Sequence, residues 1–219
     1  MFIGHYAAAF ALKGKQKEVS LGWLFIATQF VDILFFPFAL LGLESLEFVP
    51  EFTQTNDFKM DFPYSHSLVG SIIWSILFGA FYFLIAKKKS TNGKRVALVL
   101  GVGVFSHWIG DLLVHTPDLP LLYGDPKFGF GLWHNKLATV GLETIVLLLG
   151  LWYYIKQTKP NNNLGNYMAI AFSIFLLLIN YLYYYVLPPN HDLLSLAVSA
   201  LVTYFVLAGL AFWVDKKRS

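Results

Sequence analysis

Six long apolar runs constrain the fold of this sequence more than any other feature. Each is close to or above the roughly 20 residues that an α-helix needs to cross the hydrocarbon core of a bilayer. The runs are continuous rather than alternating, which favours helices over the strands of a membrane β-barrel. The sequence therefore predicts an all-α, polytopic membrane bundle, a single domain over residues 1–219, with spans at about residues 19–43, 66–86, 95–115, 137–155, 165–187 and 193–214.

The composition excludes several other classes of protein. Hydrophobic residues make up 57% of the 219 residues and charged residues only 13%, whereas soluble domains carry about 25% charged residues. A water-soluble domain of this size cannot cover so much apolar surface. The absence of cysteine excludes thiolate metal sites and thiol nucleophiles. A net charge of +3 is too small to indicate nucleic acid binding.

The first twelve residues form a shorter apolar segment. As a helix this segment would be about 18 Å long, which is too short to cross a bilayer. It lacks the basic start and the small-residue cleavage site of a secretory signal peptide. We therefore expect a half-helix that dips into the membrane before the first span.

Basic residues lie on one side of the predicted bundle. If six spans alternate in direction, 13 of the 16 basic residues face the same side, and the positive-inside rule assigns that side to the cytoplasm. The C-terminus is thus expected in the cytoplasm, in a bacterial inner membrane. The residues on that side are Lys13, Lys15, Lys17, Lys87, Lys88, Lys89, Lys94, Arg95, Lys156, Lys159, Lys216, Lys217 and Arg218.

Ionisable residues within the spans mark the candidate site, because such residues are costly in a bilayer and usually functional. Counted from the nearest basic residue on the cytoplasmic side, Asp32, Asp111 and Glu143 lie at depths of about 20 to 24 Å. His107 reaches about 18 Å and His5, in the half-helix, about 12 Å. The candidate metal ligands are His5, Asp32, His66, His107, Asp111, His115 and His134, and the candidate catalytic carboxylates are Asp32, Asp111 and Glu143.

The third span carries the most specific spacing. His107, Asp111 and His115 are four residues apart, so they share one helix face while the two histidines lie about 12 Å apart along the axis. Asp111 lies between them and can bridge two ions, as carboxylates do in two-metal hydrolytic sites. Histidine and carboxylate ligands without cysteine suit Zn²⁺, with Mn²⁺ or Fe²⁺ as alternatives.

The order of these residues resembles a known family. The pattern is an early His5, Asp32 in the first span, His66-Ser67 at the start of the next, and His107 four residues before Asp111. It resembles the YdjM-like family of predicted membrane-bound metal-dependent hydrolases over residues 1–143. More remotely, it is similar to the zinc-dependent phospholipase C and single-strand nuclease superfamily, all-helical enzymes that cleave phosphoesters with a trinuclear zinc cluster.

The resemblance implies a ligand set as well as an activity. The superfamily has a carboxylate four residues after its last histidine, where this chain has Ala138, so either Glu143 substitutes for it or the third metal is absent. The last two spans, over residues 165–214, have no counterpart in the resemblance. Two or three metals are implied, held by Asp32, His66, His107 and Asp111, by His5 and Asp111, and by His115 and His134.

The sequence therefore predicts a membrane-embedded hydrolase that cleaves a phosphoester with a metal-activated water at a site facing the outer side. A lipid substrate is expected because the site lies at bilayer depth, and Asp32 is expected to orient or activate the water. The alternative is a proton- or ion-coupled transporter with Asp32, Asp111 and Glu143 as relay groups. Metal content discriminates between the two, since a relay needs none.

Two further expectations concern the surroundings of the site. Asp118 lies in an outer loop and is expected to be solvated, although it can reach the site. The tyrosines near the end of the fifth span are expected to form an aromatic belt at the membrane interface. They are Tyr181, Tyr183, Tyr184 and Tyr185.

Overall fold

The computed structural model describes residues 1–86 and 92–219. Lys87, Lys88 and Lys89, which contribute to the predicted orientation, lie outside the described residues. The described chain is mostly helical, with eight α-helices and two short β-hairpins. The elements are α1 (Tyr6–Lys15), α2 (Leu21–Thr28), α3 (Phe30–Leu40), β1 (Ser45–Phe48), β2 (Phe58–Asp61), α4 (Leu68–Ala86), α5 (Gly93–Val114), β3 (Leu119–Pro120), β4 (Lys127–Phe128), α6 (Lys136–Gln157), α7 (Asn163–Tyr185) and α8 (Leu193–Asp215).

The long helices confirm the predicted polytopic bundle. Helices α4 to α8 are each long and apolar enough to cross a membrane. The predicted first span is instead a pair, α2 and α3, that meets at an angle of 46°. The bend falls at Gln29, whose buried side chain donates a hydrogen bond to the carbonyl oxygen of Phe2. Pro37 lies farther along, inside α3, so the break does not coincide with a proline. It coincides instead with the polar contact between Gln29 and the N-terminal segment.

The predicted N-terminal half-helix corresponds to α1, which is packed inside the bundle. Its Tyr6 stacks on Phe25 of α2 with the ring centroids 4.1 Å apart. On its other side α1 lies directly against α6, where a Cβ atom added to Gly150 would be 2.5 Å from the carbonyl oxygen of Ala7. The absence of a side chain at Gly150 therefore allows the two helices to approach closely.

The two hairpins lie between predicted spans, one joining α3 to α4 and the other joining α5 to α6. Strands β1 and β2 pair antiparallel, with Leu46 opposite Met60 and Phe48 opposite Phe58. The partly buried residues alternate with exposed ones along both strands, as expected for a hairpin with one covered face. Leu46 and Met60 pack against a small buried cluster that includes Phe35 of α3. The β1–β2 hairpin thus covers one end of the bundle, which we call the hairpin end.

The opposite end of the bundle, which we call the basic end, is closed by Lys13, Asp215 and Arg218. Lys13 Nζ lies 2.8 Å from Asp215 Oδ1 and also donates to two backbone carbonyl groups. The guanidinium group of Arg218 donates to the carbonyl oxygens of Ile155, Thr158 and Gly165 and to the Thr158 hydroxyl group. The bonds to Ile155 and Thr158 satisfy carbonyl groups that the C-terminus of α6 leaves without intrahelical partners, and the bond to Gly165 connects Arg218 to the first turn of α7.

Candidate metal centre

Five side chains from distant parts of the sequence meet near the hairpin end. His5 precedes α1, Asp32 lies in the first turn of α3, His66 precedes α4, and His107 and Asp111 lie on α5. Their potential ligand atoms form two groups, each with all atoms within 4.8 Å of one another. One group is His5, His107 and Asp111, and the other is Asp32, His66 and His107. We call these five residues the cluster.

Local backbone features position the members of the cluster. The break at Gln29 makes a new helix N-terminus, and a carboxylate in the first turn of a helix, such as Asp32, is favoured by the helix dipole. Farther along the chain, Gly110 allows His5 to approach α5, since a Cβ atom at this position would lie 3.0 Å from His5 Nδ1. His5 then stacks on His107 with the ring centroids 3.6 Å apart.

Asp111 lies at the centre of the cluster. Its Oδ2 atom is 2.9 Å from His107 Nε2 and 3.7 Å from His66 Nε2. Its Oδ1 atom is 3.1 Å from His5 Nε2 and 3.6 Å from His115 Nε2. Each carboxylate oxygen therefore faces two imidazole nitrogens, which is the arrangement of a carboxylate that bridges two ligand groups.

Asp32 completes one of the two groups. Its Oδ1 atom lies 3.1 Å from His66 Nε2 and 3.5 Å from His107 Nε2. Its Oδ2 atom accepts a hydrogen bond of 3.0 Å from the hydroxyl group of Tyr204 on α8. The Asp32 side chain is 19% exposed, against 1% for Asp111, so Asp32 is the more accessible of the two carboxylates.

The hydrogen bonds of His107 and His115 fix which ring nitrogen is protonated. His107 Nδ1 lies 2.7 Å from the carbonyl oxygen of Thr28, which only accepts hydrogen bonds, so Nδ1 must donate. His115 Nδ1 lies 2.9 Å from Oδ1 of Asp118, and the same reasoning applies. In the neutral rings, both Nε2 atoms therefore carry a lone pair.

His66 is also protonated at Nδ1, and here the hydrogen-bond acceptor is a serine. Ser65 donates its hydroxyl proton to Oε2 of Glu44, at 2.7 Å, because an ionised carboxylate cannot donate. The Ser65 oxygen is also 2.7 Å from His66 Nδ1 and must accept from it. The Nε2 lone pair of His66 thus points at Asp32, with Glu44 and Ser65 as the outer partners that metal-ligating histidines usually have.

Acceptor atoms therefore face one another inside the cluster. An imidazole lone pair and a carboxylate oxygen at 2.9 to 3.7 Å repel each other unless a cation or a second imidazole proton lies between them. The amino group of Met1, 2.6 Å from Asp111 Oδ1, supplies one positive charge. The contacts of Asp111 Oδ2 with His107 Nε2 and of His5 Nε2 with Asp111 Oδ1 do not have hydrogen-bond geometry, and His5 Nδ1 has no hydrogen-bond partner among the described residues.

The distances between the acceptor atoms match those around a metal ion. Tetrahedral zinc, with bonds of about 2.0 to 2.2 Å, places its ligand atoms roughly 3.3 Å apart. The distances between imidazole nitrogens and carboxylate oxygens in the cluster run from 2.9 Å to 3.7 Å, and all ligand atoms of each group lie within 4.8 Å of one another. The nitrogen and oxygen ligands also suit a divalent cation of this kind. The residues present therefore fit the metal that the sequence predicts.

Glu143 is close to the cluster and belongs to neither ligand group. Its carboxylate accepts hydrogen bonds from the backbone amides of Phe2, at 3.0 Å, and Gly4, at 3.2 Å. It also accepts one from the hydroxyl group of Tyr184, at 2.9 Å. These bonds attach the N-terminal segment, and with it His5, to α6 and α7.

The structure does not bring His134 to the cluster. His134 ends a short turn of 3₁₀-helix over Leu132–His134 and is exposed. Its neighbour Trp133 points inward and packs against His115, with the ring centroids 3.9 Å apart. The pairing of His115 with His134, implied by the resemblance, is thus not formed, and His115 is bonded to Asp118 instead.

A cavity of about 450 Å³ opens directly above the cluster. Asp32, His66, Asp111 and His115 form its polar floor. Its walls come from α3, α7, α8 and the β1–β2 hairpin. Helices α7 and α8, which have no counterpart in the resemblance, therefore line this cavity.

Sequence reasoning missed several residues around the cluster. Tyr204 has neither charge nor motif spacing to mark it, and Tyr184 was assigned to the aromatic belt. Ser65 carried a weak signal, since it directly precedes His66, whereas Glu44 lies twenty-one residues before Ser65. Comparisons with protein-family models, curated proteins and solved structures found no match to this chain. The resemblance to the YdjM-like family stays a prediction.

Proposed function

We propose that this chain is a membrane-embedded, metal-dependent hydrolase of a lipid phosphoester. The observation that carries the proposal is the convergence of imidazole lone pairs and two carboxylates at the floor of an apolar cavity. Buried ionisable groups of this kind are expensive in a membrane and are found where they bind or react. A lipid is the natural substrate for a cavity with apolar walls at the level of the bilayer.

Each of the two proposed ligand sets contains one carboxylate oxygen of Asp111. Oδ2 of Asp111, with Asp32, His66 and His107, would hold one cation, and Oδ1, with His5 and His115, would hold a second. Zinc is the leading candidate, with manganese and iron as alternatives. Divalent cations held in this way supply Lewis acidity toward a phosphoryl oxygen and lower the pKa of water toward neutrality.

The remaining steps belong to side chains at the cavity floor. Asp32, the more exposed carboxylate, orients a water molecule and accepts its proton as the water attacks phosphorus. The ester P–O bond breaks, and the alcohol leaves with the proton that Asp32 took from the water, which returns Asp32 to its ionised form. The hydroxyl group of Tyr204 holds Asp32 in place. Glu143 is a catalytic candidate in the sequence. We assign it instead the structural role of attaching the N-terminal segment.

The orientation in the membrane is also a proposal. The apolar helices fit an integral membrane protein, and the distribution of lysine and arginine favours a cytoplasmic basic end. The hairpin end, with the cluster beneath it, would then face the outer side. A bacterial inner membrane is the location that this arrangement fits best.

Elemental analysis of the purified, detergent-solubilised protein tests the metal sites. We expect about two divalent ions per wild-type chain, and in His107→Ala the loss of at least one of them, because His107 supplies a ligand to the first proposed cation and stacks on His5, a ligand of the second. The control is His191→Ala, which removes an exposed histidine bonded to Asp57 and should retain the metal. Hydrolysis of lipid phosphoesters should stop on chelation and return when zinc or manganese is restored.

Two outcomes would contradict the proposal. Full metal occupancy in His107→Ala would show that the metal is bound elsewhere. A wild-type protein without metal, folded and unable to take up zinc, would favour the transporter alternative with Asp32 and Asp111 as relay groups.

A further inference from the structure

The cavity above the cluster has a polar floor and mainly apolar walls, with a few polar wall residues: Thr55, Asn56, Ser199 and Thr203. Phe36 of α3, Phe58 of β2, Leu182 of α7 and Ala200 of α8 contribute to the walls. Among the described residues that line the cavity, there is no lysine or arginine. The positive charges that an anionic group could meet in this space are therefore at the floor, where the Met1 amino group lies and the proposed cations would be held, and the mainly apolar walls suit a hydrocarbon.

The size of the cavity limits how much hydrocarbon it can hold. An apolar cavity of about 150 Å³ accepts benzene, with six carbon atoms. By that measure, the 450 Å³ observed here has room for roughly eighteen carbon atoms. The cavity, which is open on one side, therefore encloses about one long hydrocarbon chain, and the second chain of a common membrane phospholipid would have to lie outside it.

We propose that the substrate is a phosphoester with a single long hydrocarbon chain, which occupies this cavity while the phosphate lies at the floor. The inference rests on the proposed function, since the cluster is what holds the phosphate. It goes further in assigning a specificity role to α7 and α8, and Ala200 is the position on α8 where the cavity can be narrowed.

Binding of alkyl phosphates to the metal-loaded protein tests this assignment. The probes are butyl phosphate and hexadecyl phosphate, measured at fixed detergent concentration. Ala200→Phe narrows the cavity, and we expect its affinity for hexadecyl phosphate to fall by roughly tenfold, because excluding two methylene groups already costs about that much. Its affinity for butyl phosphate should stay within about twofold of the wild type.

The matched control is Val198→Phe, which introduces a phenylalanine on the same helix at a residue that is 52% exposed. This variant should leave both affinities unchanged.

The outcomes separate this inference from the proposed function. If Ala200→Phe and Val198→Phe bind hexadecyl phosphate equally well, the chain lies outside the cavity and the inference is wrong. If a dialkyl phosphate with two sixteen-carbon chains binds as tightly as hexadecyl phosphate, the single-chain assignment is wrong. In both cases metal binding and hydrolysis can remain intact. Loss of the proposed function would appear instead as a wild-type protein that binds no metal.

Discussion

The two ends of this bundle both bury charged groups, but they satisfy them differently. At the basic end, Arg218 has four hydrogen bonds to carbonyl and hydroxyl oxygens, and Lys13 is paired with Asp215. At the hairpin end, the carboxylates of Asp32 and Asp111 face imidazole nitrogens whose other ring nitrogen already carries the proton. Buried groups that satisfy one another stabilise a fold, whereas buried acceptors that face acceptors need a cation or a further proton between them.

The largest expected effect is on the free energy of unfolding, which should fall more for a substitution at the basic end than for one in the cluster. Arg218→Ala leaves several buried acceptors without donors, so we expect the free energy of unfolding to fall by about 3 kcal/mol. Asp111→Asn removes a charge from a cluster of acceptors but also weakens the ion pair with the Met1 amino group, so in metal-free protein we expect a smaller loss of stability than for Arg218→Ala. The measurement is chemical or thermal unfolding in detergent with a chelator present.

Arg218→Lys serves as the control for this comparison, because it keeps the charge while losing the planar group that reaches four acceptors. We expect a smaller loss than for Arg218→Ala. If Asp111→Asn destabilises the metal-free protein as strongly as Arg218→Ala, the cluster satisfies itself and the contrast between the two ends is wrong.

The sequence predicted the spans and the cluster more completely than the contacts around them. Charged residues in apolar runs are visible because the membrane makes them costly, and helical spacing relates His107 to Asp111 and His115. The bend at Gln29 was not predicted, since it coincides with a contact to Phe2 and not with a local helix breaker. The hairpins were missed because their short alternating strands lie within long loops.

The outer partners of the histidines show the same limit. Tyr204 contacts Asp32 across 172 positions of the chain, and such a contact has no local signature. Serine and tyrosine are common in membrane helices and loops, so these residues carry no specific signal in the sequence. His115 and Asp118, by contrast, are only three residues apart in the sequence, and the sequence left open whether Asp118 reaches the site.

A smaller effect is expected from the serine that sets the protonation of His66. Ser65→Ala removes the acceptor of the His66 Nδ1 proton and leaves Glu44 without the Ser65 hydroxyl. Loss of such an outer partner typically lowers metal affinity by about 10- to 100-fold. Competition with a chelator of known zinc affinity measures the change.

The control for this variant is Ser75→Ala. Ser75 lies on α4 and donates its hydroxyl proton within the helix to the carbonyl oxygen of Ser71, so we expect zinc affinity to be unchanged. Equal affinities of Ser65→Ala and wild type would mean that Glu44 and Ser65 stabilise the loop without orienting His66.

The smallest effect concerns Glu143, where the sequence predicts catalysis and the hydrogen bonds indicate attachment of the N-terminal segment. Glu143→Gln keeps the shape of the side chain but replaces one acceptor oxygen with a donor, which then faces an amide or hydroxyl donor. We expect the free energy of unfolding to fall by about 1 to 2 kcal/mol, with hydrolysis by the folded, metal-loaded fraction within about threefold of wild type. Tyr184→Phe removes only one of the three bonds and should destabilise less. Unchanged stability combined with loss of hydrolysis in Glu143→Gln would instead assign Glu143 to catalysis, and the boundary between the reactive cluster and its structural support would move to include α6.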